Sequence, residues 1–335
     1  MEAKIGVVIP CFKVREHILE VIGRIGPEVS RIYTVDDCCP ENSGDFLELN
    51  CRDPRVRVIR NRQNEGVGGA VLVGYRQATA DGLDVIVKID GDGQMVPELL
   101  PLFVAPLLRG EADYTKGNRF YNIDDVRAMP AIRLIGNACL SFLTKFSSGY
   151  WNIFDPTNGF TAIHASIINA LPLNKISKRY YFESDMLFRL NTIRAKVIDI
   201  PMRAIYSNEK SNMSLLKTLP EFLIHNVVNG SKRIFYNYFL RDFSIASLEL
   251  VFGLILLVFG VIFGSAQWII HVRQNTFASA GTVMLAVLPI LAGLQLLISF
   301  INYDVMSVPS SPIHRLIFSQ KTPNESSQAE PTLSE

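Results

Sequence analysis

VIVKIDGDGQ, at residues 85–94, is an apolar run that ends in two aspartates separated by one glycine. In extended backbone alternate side chains point to the same side, so Asp90, Asp92 and Gln94 can converge on one side of the chain. Two carboxylates and an amide oxygen at the end of a strand are hard oxygen ligands, which suit Mg²⁺ or Mn²⁺. The flanking glycines leave room for a diphosphate. An ordinary solvated Asp-Gly turn is the alternative interpretation of this stretch when it is taken alone.

Strand and helix patterns alternate on both sides of this stretch, from residue 4 to about residue 211. Short β-branched runs that end in polar residues lie at 4–10, 31–36, 56–60 and 85–90, and helical spacing is present at 15–25 and 67–79. Such alternation predicts an α/β domain with a mainly parallel sheet and helices on both faces. Ligands bind beyond the carboxyl ends of the strands in these sheets. The residues at the end of each predicted strand are therefore candidates for a binding site.

Two other predicted strands also end in residues that suit a ligand. Pro10, Cys11 and Phe12 lie at the end of the first strand, and the pair Asp36 and Asp37 ends the second. The two carboxylates can accept hydrogen bonds from the N–H groups of a base or from ribose hydroxyls. A pair of aspartates can equally cap the N-terminus of a helix, and the sequence leaves both interpretations open.

The glycines separate this sequence from two common classes of nucleotide-binding protein. The turn after the first strand, PCFKVRE, has no glycine, whereas a dinucleotide-binding fold needs a glycine-rich turn there. This argues against a nicotinamide dehydrogenase. The phosphate-binding GxxxxGK[ST] loop of the P-loop nucleotide-binding proteins does not occur either. The NEGVGGA run at 64–70 follows the third strand and opens a helix, so it is either a ligand-binding loop or a tight turn.

The charge balance and the cysteines argue against further classes of protein. The 335-residue chain has 33 Lys and Arg against 32 Asp and Glu, so it lacks the basic excess of a nucleic-acid-binding protein. Its five cysteines are odd in number and two are adjacent, which argues for a reducing compartment and against a disulfide framework. No zinc-ligand spacing occurs, and we expect no signal peptide in the start MEAKIGVVIP.

Charged residues nearly disappear between residue 243 and Asp304. Two apolar stretches, 245–263 and 278–301, are each long enough to cross a hydrocarbon core of ~30 Å at ~1.5 Å per residue. Basic residues precede the first stretch and follow the second: Lys232, Arg233, Arg241, His314, Arg315 and Lys321. We expect a multi-pass protein of the cell (inner) membrane. The positive-inside rule predicts that its α/β domain and both termini lie in the cytoplasm.

These patterns divide the chain into four predicted regions. An α/β domain covers 1–211, amphipathic juxtamembrane helices cover 212–242, a two-helix transmembrane hairpin covers 243–303, and a mostly disordered cytosolic tail covers 304–335. The juxtamembrane helices carry leucines and aromatic residues between lysines and arginines. This mixture suits helices that lie in the membrane interface, and it equally suits helices that pack on the α/β domain.

Taken together, these motifs resemble the glycosyltransferase family 2 enzymes with a GT-A fold. The matching pieces cover most of residues 4–215: VVIPCF, VDD, NEGVGGA, KIDGDGQ, KGNRF, DPTNGF, YYFESDMLFRL and YSNEKSNMS. The resemblance is greatest to prokaryotic polyisoprenyl-phosphate glycosyltransferases and more distant to dolichol-phosphate mannose synthases. It implies a Rossmann-like GT-A catalytic domain followed by interfacial helices and two transmembrane helices.

The resemblance also implies roles for residues of this chain. It places the nucleotide-sugar against Pro10, Cys11, Phe12, Asp36, Asp37, Asp90, Lys210 and Ser211, the last two in a mobile loop that closes on the diphosphate. It makes Asp92 and Gln94 ligands of Mg²⁺ or Mn²⁺, and it makes Asp155 and Asp92 the catalytic residues. It places Arg119 and Arg133 on the acceptor phosphate. Without the resemblance, Asp155 in DPTNG would be interpreted as a turn-forming residue.

Three positions depart from the patterns of this family. Lys13 and Val14 replace the Asn-Glu of many relatives, and Ser207 replaces an arginine of the dolichol-type loop. These departures favour the bacterial branch and leave the donor contacts open.

The reaction that the resemblance implies is an inverting transfer of a hexose to a polyprenyl phosphate. We predict glucose from UDP-glucose as the donor sugar. The alternatives are mannose from GDP-mannose and a catalytically silent membrane scaffold that retains a nucleotide site. A processive polysaccharide synthase is disfavoured because the chain has no Q-x-x-R-W motif. The expected partners are the donor, the lipid acceptor and the bilayer, without nucleic acid, and the resemblance implies a homo-oligomer, a tetramer.

Overall fold

A seven-stranded sheet organises the first part of the chain in the computed structural model, which describes residues 3–121, 131–203 and 215–319. The strands are β1 (Ile5–Cys11), β2 (Val29–Asp36), β3 (Val56–Arg60), β4 (Val85–Lys88), β5 (Tyr114–Asn118), β6 (Thr161–His164) and β7 (Val197–Pro201). They lie in the order β3-β2-β1-β4-β6-β5-β7. Neighbouring strands are parallel except at β6, which runs antiparallel to both β4 and β5. The predicted mainly parallel sheet is confirmed.

The helices alternate with these strands as predicted. They are α1 (Ile18–Gly23), α2 (Ser43–Asn50), α3 (Val67–Ala80), α4 (Leu100–Leu108), α5 (Ala131–Ser148), α6 (Ala165–Ala170) and α7 (Phe182–Thr192). Short 3-10 turns lie at Pro97–Leu99 and Leu173–Lys175. The predicted helix at 67–79 matches α3 within one residue, whereas the one at 15–25 is shorter because residues 15–17 form a turn.

Strand β1 lies at the centre of the core, and all seven of its residues are buried. Val7 and Ile9 belong to one apolar cluster with Ile18 of α1 and Phe103 of α4. On the opposite face β1 packs so closely on α3 that a side chain at Gly74 would overlap Val8. Strands that are buried on both faces have continuous apolar sequences rather than alternating ones. This explains why IGVVIPC and VIVK lack a polar face.

The chain packs as two units. The first unit comprises Met1–Gly230 and Pro309–Glu335, and the second comprises Ser231–Val308. The predicted boundary between 211 and 212 lies outside the described residues. The other predicted boundaries, at 242 and 303, stay predictions.

Helix α8 (Leu215–Phe235) enters the first unit with one face buried. Asn226 Oδ1 accepts a hydrogen bond from Ser147 Oγ at 2.5 Å, and Asn229 Nδ2 donates to Asp185 Oδ1 at 2.9 Å. The opposite face is apolar and exposed, as at Ile224, which has 63% of its surface accessible. Packing on the α/β domain and an apolar outer face are therefore both properties of this helix.

The second unit is built on two long apolar helices, α9 (Ile245–Gln274) and α10 (Ala280–Met306), which follow a π-helical segment at Tyr236–Arg241. Both are long and apolar enough to cross a membrane. Within the most apolar 18-residue stretch of each helix, only 22% and 11% is buried. The first helix continues past its predicted end at residue 263. A single glycine there, Gly264, costs only about 1 kcal/mol in a helix and does not end it.

Glycines allow α9 and α10 to approach each other closely. A Cβ atom at Gly253 would lie 3.2 Å from the carbonyl oxygen of Gly293, and one at Gly260 would lie 2.8 Å from that of Ala286. Small residues at such contacts let helix backbones pack tightly. Gly253 and Gly260 therefore allow close contact between the two helices of the same chain.

Two polar contacts connect helices inside the second unit. Ser299 Oγ donates to Glu249 Oε1 at 2.7 Å, which gives this carboxylate of α9 a partner on α10. Arg233 donates to both oxygens of Asp304 at 2.6 and 2.9 Å, and Tyr238 donates to the same carboxylate at 2.5 Å. The Arg233 and Asp304 side chains are only 2% and 3% exposed, so breaking the pair would leave a buried charge without compensation.

Residues 309–319 pack on the first unit and end in α11 (His314–Ser319). Asp113, which is fully buried, accepts hydrogen bonds from the backbone N–H groups of Ile313 and His314 and lies 2.7 Å from the His314 ring. That ring stacks on His164 with 4.6 Å between centroids. Residues 309–319 are therefore ordered, although a mostly disordered tail is predicted for 304–335. The contacts that order this segment come from Asp113, some 200 positions away in the sequence, so they leave no local sequence pattern. The remainder, 320–335, lies outside the described residues.

Candidate active site

The carboxyl ends of β1, β2 and β4 lie at one edge of the sheet, as the parallel register requires. Cys11 lies opposite Asp36 in that register. Of the three predicted contacts after β1, Pro10 and Cys11 are buried and Phe12 has 43% of its surface exposed. Burial raises the pKa of the Cys11 thiol far above its usual range, so it is not a nucleophile at neutral pH. Phe12 is therefore the residue of this group that offers a surface to a ligand.

Both carboxylate oxygens of Asp36 are engaged by backbone N–H groups. Cys39 donates to Oδ1 at 2.8 Å, and Gly44 donates to Oδ2 at 2.6 Å. Because Gly44 lies in the first turn of α2, Asp36 stabilises the start of that helix. This is the helix-capping alternative left open by the sequence. The predicted nucleotide contact of Asp36 stays a prediction.

Asp37 holds the loop that leads into α3. Its buried carboxylate accepts hydrogen bonds from Asn61 Nδ2 at 2.8 Å, from Glu65 N at 2.9 Å and from Gly66 N at 2.7 Å. Gly66 has φ of 85°, which favours glycine, and a Cβ atom there would lie 2.6 Å from the carbonyl oxygen of Lys178. The NEGVGGA loop is thus shaped by Asp37, and any contact between Asp37 and a nucleotide stays a prediction.

Asp92 and Gln94 follow β4 in a tight turn. Asp92 Oδ1 accepts a hydrogen bond from Gln94 N at 3.0 Å, and Gly93 between them has φ of 75°. Among the residues that the structure describes, no three His, Cys, Asp or Glu side chains cluster as a ready-made metal site. Mg²⁺ is commonly held by one or two carboxylates together with substrate phosphates and water. The oxygen donors of Asp92 and Gln94 therefore fit a metal that binds together with a diphosphate.

A buried lysine, Lys88, lies behind Asp90 and is not among the predicted site residues. Lys88 ends β4 with a side chain that is 1% exposed, and its Nζ lies 2.8 Å from Asp90 Oδ1 and 2.9 Å from Glu183 Oε1. Burial by itself lowers the pKa of Lys88, but the two carboxylates outweigh burial and raise the pKa above its usual range. Lys88 is therefore charged. The available signal was a lysine inside the apolar run VIVKID, since lysines are almost never fully buried unless paired.

Gly159 connects this group to the DPTNGF segment at 155–160. A Cβ atom at Gly159 would overlap both Asp90 Oδ2 and Lys88 Nζ, so the backbone approaches closely only because the residue is glycine. This contact brings the loop that carries Asp155 against Asp90. Two motifs that are 65 residues apart in the sequence thus form one site.

Asp155 and Arg119 form a bidentate ion pair. Arg119 Nε donates to Asp155 Oδ2 at 2.7 Å, and Nη2 donates to Oδ1 at 2.9 Å. The same carboxylate accepts weaker hydrogen bonds from Arg119 N at 3.2 Å and Asn158 Nδ2 at 3.4 Å. The Asp155 side chain is 1% exposed and that of Arg119 is 29% exposed. The family resemblance implies different roles for these two residues, and the structure places them in direct contact.

A buried polar layer lies beside this pair. Lys116 Nζ donates to a carbonyl oxygen of the DPTNGF segment, and burial lowers the pKa of Lys116 to about 8. Asp199 of β7 accepts hydrogen bonds from Asn118 Nδ2 at 3.0 Å and Phe154 N at 3.1 Å, and burial raises the pKa of Asp199 to about 6. Asp199 therefore holds the backbone next to Asp155, a role with no local sequence signal.

A cavity of about 580 Å³ opens where β7 ends, and its wall includes Pro201, Met202 and Arg203. Its described lining is mostly apolar: Val96, Leu99, Tyr121, Pro201, Met202 and Arg203. Met202 Sδ lies 3.1 Å from the Asn158 amide, which in turn contacts Asp155. Met202 and Asn158 thus link the wall of the cavity to the predicted catalytic residue.

Three predicted site residues lie outside what the structure describes. Lys210 and Ser211 fall between residues 203 and 215, and the side chain of Arg133 at the start of α5 is not described either. Their predicted roles stay predictions.

Comparison with known proteins identifies sequence relatives. The model of glycosyl transferase family 2 matches residues 6–171. An undecaprenyl-phosphate mannosyltransferase of Micrococcus luteus is 30% identical over 199 residues, which cover 58% of this chain and 81% of the relative. A polyprenol monophosphomannose synthase of Mycolicibacterium smegmatis is 31% identical over 202 residues, with 58% and 75% covered. A UDP-N-acetylglucosamine–dolichyl-phosphate N-acetylglucosaminyltransferase of Methanococcus voltae is 28% identical over 217 residues, with 61% and 86% covered.

The fold is also similar to that of a solved enzyme. Glucosyl-3-phosphoglycerate synthase from Mycobacterium tuberculosis, in complex with Mn²⁺, uridine diphosphate and glucosyl-3-phosphoglycerate, matches with a TM-score of 0.51. The match covers 69% of this chain and 80% of that chain at 19% identity, which shows a shared fold. The motifs, the sheet order and the relatives agree: this chain is a glycosyltransferase and belongs to glycosyl transferase family 2.

Proposed function

We propose that this enzyme transfers a hexose from a nucleotide-sugar to a polyprenyl phosphate, with inversion at the anomeric carbon. The observation that carries the proposal is the convergence of the 85–94 stretch with the Arg119–Asp155 pair at one edge of the sheet. The first group supplies oxygen ligands for a metal-bound diphosphate. The second supplies a planar guanidinium, whose fork geometry matches phosphate oxygens.

Two observations support a lipid as the acceptor. The relatives' names specify undecaprenyl phosphate, polyprenol monophosphomannose and dolichyl phosphate. This chain also carries two helices that are long and apolar enough to cross a membrane. The mostly apolar cavity, whose wall is linked to Asp155 through Met202 and Asn158, would receive the isoprenyl units next to the phosphate. The acceptor phosphate would then lie within reach of Arg119.

The donor sugar is the less constrained part of the proposal. We propose glucose from UDP-glucose as the first donor to test, as the bacterial resemblance implies. Mannose from GDP-mannose has equal support, because two of the three relatives are named for mannose, and the third is named for N-acetylglucosamine. Sugar choice depends on pocket shape, and no residue of the described site distinguishes these donors.

In the proposed mechanism a phosphate oxygen of the lipid attacks the anomeric carbon from the face opposite the nucleoside diphosphate. One displacement inverts the configuration. A phosphate monoester has its second pKa near ~6, so at neutral pH the nucleophile is mostly ionised without a general base. Asp155 would then orient Arg119 for the acceptor phosphate, consistent with its bidentate contact. A metal bound at Asp92 and Gln94 would neutralise charge on the leaving diphosphate.

We further propose that the first unit and both termini face the cytoplasm, where nucleotide-sugars are available. Lys232, Arg233 and Arg241 before the hairpin, and His314 and Arg315 after it, support this orientation. The homo-oligomer, a tetramer, stays a prediction from the family resemblance.

A donor-resolved transfer assay tests the proposed function. Detergent-solubilised full-length protein would be given short polyprenyl phosphate, Mg²⁺ or Mn²⁺, and one radiolabelled donor at a time: UDP-glucose, GDP-mannose or UDP-N-acetylglucosamine. We expect label to move into the organic phase with one donor, and Asp92→Ala to abolish the transfer. Glu111→Ala is the matched control, because it removes an exposed carboxylate before β5 at the opposite edge of the sheet. Nucleotide binding without transfer from any donor would instead support the silent scaffold.

A further inference from the structure

Lys88 and Glu183 form a buried charged pair that leads outward to Asp90. Lys88 Nζ lies between the two carboxylates, 2.8 Å from Asp90 Oδ1 and 2.9 Å from Glu183 Oε1. The side chains become more accessible in one direction, from Lys88 at 1% and Glu183 at 10% to Asp90 at 28%. Of the three groups, Asp90 is therefore the one that can meet a ligand.

The charges of the three groups add up to one negative charge. Lys88 paired with Asp90 alone would neutralise the carboxylate and present no net charge to a ligand. Glu183, from the first turn of α7, compensates Lys88, so that the pair Lys88–Glu183 is neutral and Asp90 keeps its charge. An unpaired ion in such a place would be strongly unfavourable, which explains why the cation carries two partners.

The direction of the Asp90 carboxylate is fixed from two sides. Lys88 holds Oδ1, and the backbone at Gly159 lies so close to Oδ2 that a Cβ atom would overlap it. Asp90 lies two residues before Asp92, which is the predicted metal ligand. A carboxylate held in one rotamer at this position needs no reorganisation when a diphosphate and its cation bind.

We propose that Lys88 is a positioning residue that aims the Asp90 carboxylate at the donor, and that Glu183 preserves the negative charge that Asp90 presents to the cation of a metal-bound nucleoside diphosphate. This inference rests on the proposed function, because it takes Asp90 as part of the donor site. The two roles are separable. Glu183 affects only the net charge of the group, whereas Lys88 contributes to that charge and also fixes the direction of the Asp90 carboxylate.

Two variants separate charge from direction. Glu183→Gln makes the group neutral, whereas Lys88→Met combined with Glu183→Gln restores one negative charge but removes the ion pair that directs Asp90. Mn²⁺ is the probe, with the bound fraction measured by electron paramagnetic resonance in full-length detergent-solubilised protein, alone and with UDP or GDP. We expect Glu183→Gln to weaken Mn²⁺ binding on the order of tenfold, and the double variant to bind within about threefold of the wild type. The double variant should still transfer sugar roughly a hundredfold more slowly, because Asp90 is misdirected.

Each part of the proposal has an outcome that overturns it. Equal Mn²⁺ affinity in the wild type and Glu183→Gln overturns the charge role of Glu183. Transfer at the wild-type rate in the double variant overturns the positioning role of Lys88. If the double variant does not fold, Gly159→Ala displaces Asp90 from the other side with every charge intact. It should transfer sugar slowly at unchanged Mn²⁺ affinity, and normal transfer would again overturn positioning.

Failure of the proposed function is distinguishable from failure of this inference. Wild-type protein that transfers no sugar from any donor would refute the proposed function. The Mn²⁺ series does not need turnover, so it decides the charge role of Glu183 in either case.

Discussion

Removing Arg119 should destabilise the protein more than removing the charge of Asp155, although both changes break the same ion pair. The reason is the unequal burial of the partners, because the Asp155 side chain is 1% exposed and that of Arg119 is 29% exposed. Among the described residues, Arg119→Met leaves the buried carboxylate with two weak hydrogen bonds, at 3.2 and 3.4 Å, one of them from the backbone of residue 119. Asp155→Asn leaves a guanidinium that can still reach water.

The magnitudes follow from these environments. Leaving a buried charge without its partner costs about 3–5 kcal/mol. Losing one partner of a charged hydrogen bond where water can compensate costs about 1–2 kcal/mol. The expected difference of about 2 kcal/mol corresponds to a gap of about 4–8 °C in melting temperature for a unit of this size. The double variant Asp155→Asn with Arg119→Met should recover most of that gap, because no buried charge remains.

The assay is thermal unfolding of detergent-solubilised protein, followed by intrinsic fluorescence at fixed protein and detergent concentration. Equal melting temperatures for Arg119→Met and Asp155→Asn would refute the reasoning. So would a double variant no more stable than Arg119→Met, since the burial asymmetry would then not control the cost.

The same Asp155→Asn variant tests how Asp155 contributes to the reaction. If Asp155 orients Arg119, the variant should lose the same factor of activity at pH 6 and at pH 8. A smaller loss at pH 8 would indicate that Asp155 removes a residual proton from the acceptor phosphate, because the phosphate is more fully ionised there.

Three further predictions concern a loop, a histidine and a metal. Asp37→Ala removes the acceptor of three hydrogen bonds in the loop before α3, so we expect a loss of about 2–4 kcal/mol in stability and faster proteolysis of the loop; an unchanged melting temperature would contradict this. Burial lowers the pKa of His164 from 6.5 to about 4, and the stacked His314 adds to the effect. As the pH decreases, His164 therefore binds a proton in the unfolded chain before it does so in the folded protein. The stability of the folded protein should fall as the pH decreases from 6.5 to 4. His164→Asn should reduce this fall in melting curves recorded over the same pH range. EDTA should stop sugar transfer and added Mn²⁺ should restore it, and transfer that persists in excess EDTA would exclude the metal role of Asp92.

The positions of the candidate site residues were largely predictable from the sequence. Apolar β-branched runs that end in polar residues place Asp36, Asp90 and Asp92 at or just after strand ends, and parallel strands bring such ends to one edge. What each carboxylate contacts was not predictable in the same way. Asp36 and Asp37 carry the same local signal as Asp90, yet their carboxylates accept hydrogen bonds from the chain itself. The donors are backbone N–H groups and, for Asp37, also the Asn61 side chain. A carboxylate accepts hydrogen bonds from a ligand in the same way as from the protein chain. The sequence alone therefore does not decide which of the two partners an aspartate has.

The sequence by itself determined the strand–helix alternation, the two apolar helices and the family motifs, because these depend on periodicity and on residues that are close along the chain. Only the tertiary structure decided which charges meet. Lys88 pairs with Glu183 across 95 positions, Arg119 with Asp155 across 36, and Asp113 with His314 across 201. Each pair is stabilised by burial that other segments provide, and a buried charge takes whichever partner the packing brings within about 3 Å. That choice has no local pattern, which is why the partners of Lys88 and the contacts of the segment after the hairpin appeared only in the tertiary structure.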